Sequence, residues 1–358
     1  MPSSTSSFER ESPVLAWSRA WIVALVVAMA GVGGWELHWR AQGFSATTQN
    51  TDDLWVSARR EATARPGRTV FIGSSRILFD IDLDRWASHF EDELPVQLAL
   101  EGTGPRPFLS ELARDPEFRG FLIVGVTPGL FFGEGGVRRS ALNRLETQTP
   151  AQRSGQWISQ RLERVFAFMD GDTRLFEQLD RLAWPQREGI RPALRLPRKL
   201  LEMREDRGSV MWWKVADDPE YRQLARDIWQ GLSAIPRPPP EPEALEAMFR
   251  TVREDVAAIR ARGGEVVFVR CPEAGPFAEA ASKHQPRAEY WDRLLRETEA
   301  VGVHFADHPA LADVELPEWS HVAPEDQGRF TDALAELVAP VHARWKSAAA
   351  HSGADVAP

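Results

Sequence analysis

The sequence predicts an α/β protein in three layers: five parallel strands between helices, a helical insertion, and an N-terminal transmembrane helix. Three observations predict it. Short apolar runs alternate with helical patterns in the order β-α-β-α-β from residue 69 to residue 125, the signature of a parallel sheet. Two further strand-like runs, each preceded by a helical pattern, follow after residue 245. One long apolar run, Ala20–Trp35, stands alone near the N-terminus.

Residues 1–14 are Ser-rich and polar and read as a disordered tail. The anchor is assigned to 15–40. Its apolar run is near the minimum for a membrane span, and Trp17, Trp21, Trp35 and Trp39 flank it as interfacial tryptophans do. Ala28-Met-Ala30 also fits a small-x-small cleavage site, so a cleaved signal peptide is the competing reading. A short tail inside and a large domain outside is the expected orientation, giving a single-pass inner-membrane protein whose domain faces the periplasm or the outside.

Residues 41–65 read as a linker with a short helix, and 66–347 as the α/β domain. Thr69–Ile72 is the first strand, ended by Gly73. Asp80 and Asp82 are candidate caps for a helix over Leu83–Phe90. Pro95–Leu100 is the second strand and Glu101–Pro105 a turn into a helix through Leu112. Phe121–Gly125 is the third strand, apolar throughout and hence covered on both faces. The stretch 138–235 shows no convincing strand and reads as a helical insertion, with helices near Ile158–Met169, Arg174–Ala183 and Tyr221–Leu232. Pro236–Pro240 is a stiff link. Leu245, Met248, Phe249, Val252, Val256 and Ile259 recur at helical spacing until Gly263-Gly264. Glu265–Val269 is the fourth strand, Arg287–Val301 a helix, Val303–Ala306 the fifth strand, and Pro324–Trp345 the last helix. Residues 348–358 read as a disordered tail.

Composition narrows the function classes. The net charge of -9, with no dense basic run, argues against a nucleic-acid partner. Cys271 is the single cysteine, so no disulfide forms within the chain and a cysteine-based metal site is excluded. His304 and His308 resemble a metal pair but lack a third ligand, so no metal and no cofactor is expected.

The chemistry-bearing residues are Ser74 and Ser75 after the first strand and Glu318-Trp-Ser-His321 before the last helix. A serine at the carboxyl end of a strand lies where open α/β sheets place ligands. It needs a base, usually a histidine held by a carboxylate. The structural alternatives are a serine turn cap, a histidine bonding a backbone group in a turn, and Arg76 pairing with an acidic residue of the fold. The tryptophans read as core or membrane-interface residues, with Trp212, Trp213 and Trp319 as the positions where a sugar platform remains open.

Gly73-Ser-Ser-Arg76, Gly102 after the second strand, and a carboxylate-x-x-His before the last helix together resemble the SGNH (GDSL-like) hydrolase superfamily. Trp35-Glu-x-x-Trp-Arg40 resembles its membrane-anchored bacterial members. The resemblance implies a flavodoxin-like strand order and a serine-dependent ester hydrolase or O-acyltransferase acting outside the cytoplasm on acylated carbohydrate, envelope polymer or lipid. Ser75 matches the nucleophile, His321 the general base and Glu318 the residue orienting it, where the family usually has aspartate. Ser74 stands where an aspartate is often found. The oxyanion donors implied are the backbone N–H groups of Ser75 and Gly102. The family's asparagine is missing, and Thr127 stands near its place. These departures leave a second expectation open, a catalytically weak domain serving as an envelope assembly or binding module.

Overall fold

In the computed structural model, the structure describes residues 14–90, 94–133, 136–180, 182, 198–233 and 240–351. The polar N-terminal tail, most of the proline-rich link at 236–240, and residues 352–358 lie outside them. In chain order the elements begin with helices α1 (Val14–Ala41) and α2 (Asp52–Ala64), strand β1 (Thr69–Ile72), helices α3 (Ser75–Asp80) and α4 (Leu83–Phe90), and strand β2 (Val96–Gln97). They continue with α5 (Arg106–Arg114), β3 (Phe121–Gly125), α6 (Pro128–Phe131), α7 (Arg139–Thr147), α8 (Pro150–Glu163) and α9 (Leu175–Asp180). Then come β4 (Leu201–Met203), β5 (Ser209–Met211), α10 (Trp213–Asp217), α11 (Pro219–Ser233), α12 (Pro242–Ala261) and β6 (Glu265–Arg270). The chain ends with α13 (Gly275–His284), α14 (Trp291–Thr298), β7 (Val301–His304), α15 (Pro309–Ala312) and α16 (Pro324–His351).

The described chain forms two compact units. One comprises the N-terminal helix through residue 47 together with residues 161–183; the other holds residues 48–160 and 184 onward. In the first unit, Trp17–Ala41 is long and apolar enough to cross a membrane.

The second unit is built on a sheet of parallel strands in the order β2-β1-β3-β6-β7. Alternation along the strands sends side chains to two faces. Val70, Ile72, Leu122, Val124, Val266 and Phe268 join one core with Trp55 of α2, Leu109 of α5, Phe249 of α12 and Leu294 of α14. On the opposite face Phe71 meets Trp86 of α4 at 4.9 Å between centroids, and Phe121 meets Trp345 of α16 at 5.5 Å. Both faces are therefore covered, which is why these strands read as unbroken apolar runs. Gly73 and Gly125 end adjacent strands. A Cβ on Gly125 would lie 2.1 Å from Ile77 Cγ1, so glycine there lets the first turn of α3 lie directly on the sheet.

Several expectations change. The stretch expected to be strandless contains the antiparallel pair β4 and β5. Its turn carries Arg207, fully buried, whose guanidinium donates to the carbonyl oxygens of Gln97 (2.8 Å) and Ala99 (2.7 Å). These carbonyls lie on and just beyond the edge strand β2, so a side chain does part of what a further strand would do. Burial pulls that guanidinium down to about 10. The helix expected at Ile158–Met169 ends at Glu163 and gives way to single 3-10 turns at 167–169 and 171–173. The fifth strand begins two residues early, at Val301, because α14 ends at Thr298 and Glu299 takes a left-handed conformation (φ 54°). Residues 348–351, expected in a disordered tail, continue α16.

Candidate active site at the switch point of the sheet

β1 and β3 are neighbours whose onward connections lead to opposite sides of the sheet, the position where open α/β sheets bind ligands. At the carboxyl end of β1, Ser74 is extended (φ -90°, ψ -167°) and buried, and Ser75 opens α3 half-buried. At the end of β3, Thr127 precedes α6. Ser74 Oγ and Thr127 Oγ1 lie 2.6 Å apart. This hydroxyl pair ties the two strand ends together and leaves Ser75 as the accessible serine.

The second half of the site is the loop from residue 313 to residue 323. Glu318 and His321 are both buried. Glu318 Oε1 accepts from the His321 backbone N–H at 2.9 Å and lies 2.6 Å from His321 Nδ1. Its Oε2 accepts the indole N–H of Trp229, from α11. Three donors converge on one buried carboxylate, which is the condition for keeping it charged away from water. With Nδ1–H directed at Glu318, the neutral ring carries its lone pair at Nε2. That Nε2 is buried and has no protein hydrogen-bond partner among the described residues.

The loop is held from several sides. Trp319 adopts φ 74°, a left-handed conformation unfavourable for a bulky residue. Its carbonyl accepts from Ala274 N (2.9 Å), and its ring lies under the Arg226 guanidinium (5.2 Å). Arg226 Nε also donates to Pro317 O at 2.8 Å. Gly275 (φ 51°) lies against the Trp319 ring, where a Cβ would come within 3.0 Å.

α3 is the meeting point of the two halves. The imidazole of His321 stacks on Phe79, with centroids 4.0 Å apart and planes at 19°. The next residue, Val322, donates its N–H to Asp80 Oδ1 at 3.0 Å. Phe79 lies four residues after Ser75, one helical turn along the same face. The loop is thus docked on the helix that Ser75 begins, but no hydrogen bond joins Ser75 to His321 among the described residues. Gly102 is exposed, in a left-handed turn (φ 60°), beyond the point where Leu100 N donates to Gly73 O at 3.1 Å.

Sequence reasoning missed Asp80, Trp229, Arg226 and Glu273. Asp82 does cap α4, accepting from Asp84 N (3.0 Å) and Arg85 N (3.1 Å). Asp80 instead turns inward and is fully buried, and that burial pushes its carboxyl up to about 7 against the pull of His321, the Val322 N–H and Arg76. Its neighbour Cys271 has its thiol pushed well above the ordinary range, by burial first and then by Asp80. Arg76 pairs with the fold: its guanidinium binds Glu273, which also binds Arg270. Burial resists ionisation of Glu273, but the two arginines outweigh it and hold the carboxyl below its usual range. The spacing Asp80-Ile-Asp82 signalled two acids near a helix start but could not show that Asp80, the last residue of α3, is buried while Asp82 stays partly exposed to cap α4.

The remaining candidates lie elsewhere. Burial brings the His304 imidazole down to about 4, with Arg270 adding to the effect, and its Nδ1 accepts from Ala306 N at 3.1 Å. Trp212 is buried against Tyr221, whereas Trp213 is largely exposed. A cavity of about 580 Å³ lies among Arg106, Ser110, Leu130, Met248 and Asp255; neither Ser75 nor His321 lines it. Comparison with protein-family models and with curated proteins gives no match to this chain.

Proposed function

We propose that this chain is a membrane-anchored ester hydrolase or O-acyltransferase of SGNH type, using Ser75 as nucleophile. In this reading its domain lies outside the cytoplasm, at the inner membrane, and its substrate is an acylated envelope carbohydrate or lipid. One observation carries the proposal: a buried Glu318–His321 pair whose Nδ1 is engaged and whose Nε2 is free, docked on the helix that Ser75 opens. The strand order β2-β1-β3-β6-β7 and the position at the sheet's switch point support the same reading.

In the proposed reaction, His321 Nε2 takes the Ser75 hydroxyl proton as Oγ attacks the ester carbonyl. Glu318 stabilises the imidazolium that forms. The tetrahedral oxyanion is met by the backbone N–H of Ser75, with the Gly102 N–H as the further donor the resemblance implies and the Thr127 hydroxyl, near the place of the family's missing asparagine, as a third. Collapse breaks the ester C–O bond, and His321 returns the proton to the leaving alkoxide, giving an acyl-Ser75 and a free alcohol. Water or a sugar hydroxyl then attacks the acyl group, its proton passing to His321 and on to Ser75 Oγ. Forming the Ser75–His321 contact requires a side-chain adjustment, as catalytic contacts often tighten only with substrate bound.

A second reading keeps the fold and drops the chemistry, making the domain an envelope binding or assembly module. Two features favour it: the unmade Ser75–His321 hydrogen bond, and the pairing of Thr127 with Ser74 rather than with an open oxyanion position. Turnover of short-chain aryl esters by the full-length, detergent-solubilised protein separates the two. The enzyme reading predicts turnover that Ser75→Ala abolishes and Ser74→Ala preserves in large part. Turnover that survives Ser75→Ala, or none in the wild type, rejects it. Export-dependent reporter fusions after residue 351 test the orientation; an inactive export reporter with an active cytoplasmic one at the same point overturns it.

A further inference from the structure

The unit containing α1 includes a segment that exposes several large apolar side chains. Within residues 161–180, Glu163, Asp170 and Thr173 are buried, while Leu162, Val165, Leu175, Phe176 and Leu179 are exposed together with Arg161, Arg164, Arg174 and Glu177. Thr173 is fully buried, its Oγ1 2.7 Å from Phe168 O and 2.8 Å from Asp170 O. Asp170 is also buried and accepts the Asp172 N–H through Oδ1 at 2.9 Å. In contrast, Phe176 is 79% exposed, Leu175 61% and Val165 56%, and Leu162 and Leu179 are exposed with them. Large apolar side chains exposed in this number on one short segment mark an interaction site.

The same segment is fastened to the end of the candidate membrane helix. Glu36 accepts the Ala167 N–H through Oε1 (3.0 Å) and the Phe168 N–H through Oε2 (3.2 Å). Arg40 holds Glu36 Oε1 through Nε at 2.6 Å and donates to Val165 O at 2.9 Å. At about 1.5 Å per residue, the run from Trp17 to Glu36 spans about 28 Å, against a hydrocarbon thickness of roughly 30 Å. With Trp17 at one boundary of the bilayer, Glu36 lies at the other. The attachment points of the segment are therefore at headgroup depth, and the exposed side chains follow from there.

We infer that residues 161–180 form a lipid-facing foot, seated in the bilayer interface beside the end of α1. This rests on the reading of α1 as a membrane anchor. The occupant is the lipid itself, through its acyl-chain boundary rather than its headgroup charge. Between residues 161 and 180 stand Arg161, Arg164 and Arg174 against Glu163, Asp170, Asp172, Glu177 and Asp180, three positive against five negative. A net negative segment gains nothing from anionic headgroups. The apolar side chains supply the affinity, as in interfacial helices. The foot fixes what a lone helix leaves free, the rotation of the anchor about its own axis and the depth of the chain that leaves it.

The test uses the full-length protein in phosphatidylcholine proteoliposomes, with an environment-sensitive fluorophore on Phe176→Cys or, separately, on Val27→Cys. Both positions are exposed in the protein, and Cys271 is buried. Quenching by nitroxide-labelled lipids is compared with quenching by aqueous iodide. The foot predicts several-fold stronger lipid than iodide quenching at both sites. It also predicts the same ratio at position 176 when phosphatidylglycerol replaces part of the phosphatidylcholine. Lipid quenching at 27 with iodide quenching at 176 overturns the foot while leaving the anchor, and is the outcome expected if a second protein covers this face. Iodide quenching at both sites overturns foot and anchor together. A Phe176 signal that rises strongly with anionic lipid rejects the apolar mode of contact.

Discussion

Asp80→Asn removes one buried ionisation without changing the shape of the side chain. Asparagine keeps an oxygen for the Val322 N–H, so the docking of the His321 loop on α3 is retained. What disappears is a carboxyl held at about 7 in the fold against 3.8 for the free group. The raised value means that the folded state keeps the proton where the unfolded chain has lost it. Stability from this group is therefore fully present below pH 3.8 and is lost as pH rises through about 7. At about 1.4 kcal/mol per unit, the loss across that window is on the order of 4 kcal/mol. Groups with lowered values, such as Glu273 and Asp115, slope the other way, so the quantity to read is the difference between variants. Melting temperatures of the full-length protein in detergent, taken from pH 4.5 to pH 8, should show Asp80→Asn gaining on the wild type as pH rises. The gain should level off above neutrality. Parallel pH profiles for the two proteins would show that Asp80 does not carry this proton.

Further outcomes are expected at five positions. Glu318→Gln should lower ester turnover by about 10³–10⁴, the scale of losing a carboxylate behind a catalytic histidine, and Trp229→Phe should lower the melting temperature by stranding Glu318 Oε2, a loss of about 1–3 kcal/mol. Thr127→Val should reduce ester turnover while leaving probe labelling of Ser75 intact; it should also cost about 1–3 kcal/mol by leaving the buried Ser74 hydroxyl unpaired, and Ser74→Ala in the same protein should recover most of that stability in a double-mutant cycle. Glu273→Gln should destabilise by about 3–5 kcal/mol, because Arg76 and Arg270 are then buried without their shared counter-charge, and chemical denaturation measures it.

What was legible in the sequence follows from local physics. β1, β3 and β6 are buried on both faces, so their apolar runs announce them wherever the chain goes. Glu318 and His321 were legible as a pair because the carboxylate and the ring come from the same short loop, three residues apart. β4 and β5 were not legible. Each is three residues long, and they flank a turn of Arg204–Gly208 whose charges read as surface. The reason the turn is buried is Arg207, and its carbonyl partners lie more than a hundred residues away. The same holds for Trp229 and Arg226. Both looked like ordinary residues of a helix, and only the packing of α11 on the Pro317–His321 loop gives them roles. Asp80 escaped for a different reason: a strong local role, helix capping, was available and was filled by Asp82 instead.

The central claim is that His321, oriented by Glu318, activates Ser75. A fluorophosphonate probe tests it directly, since only an activated serine attacks phosphorus at a useful rate. The full-length protein in detergent should be labelled on Ser75, identified by mass spectrometry of the modified peptide. Labelling should vanish in Ser75→Ala, fall strongly in His321→Ala and persist in Ser74→Ala. Label on Ser74 would shift the nucleophile by one residue; no label on folded wild-type protein, or labelling indifferent to His321, would contradict the account.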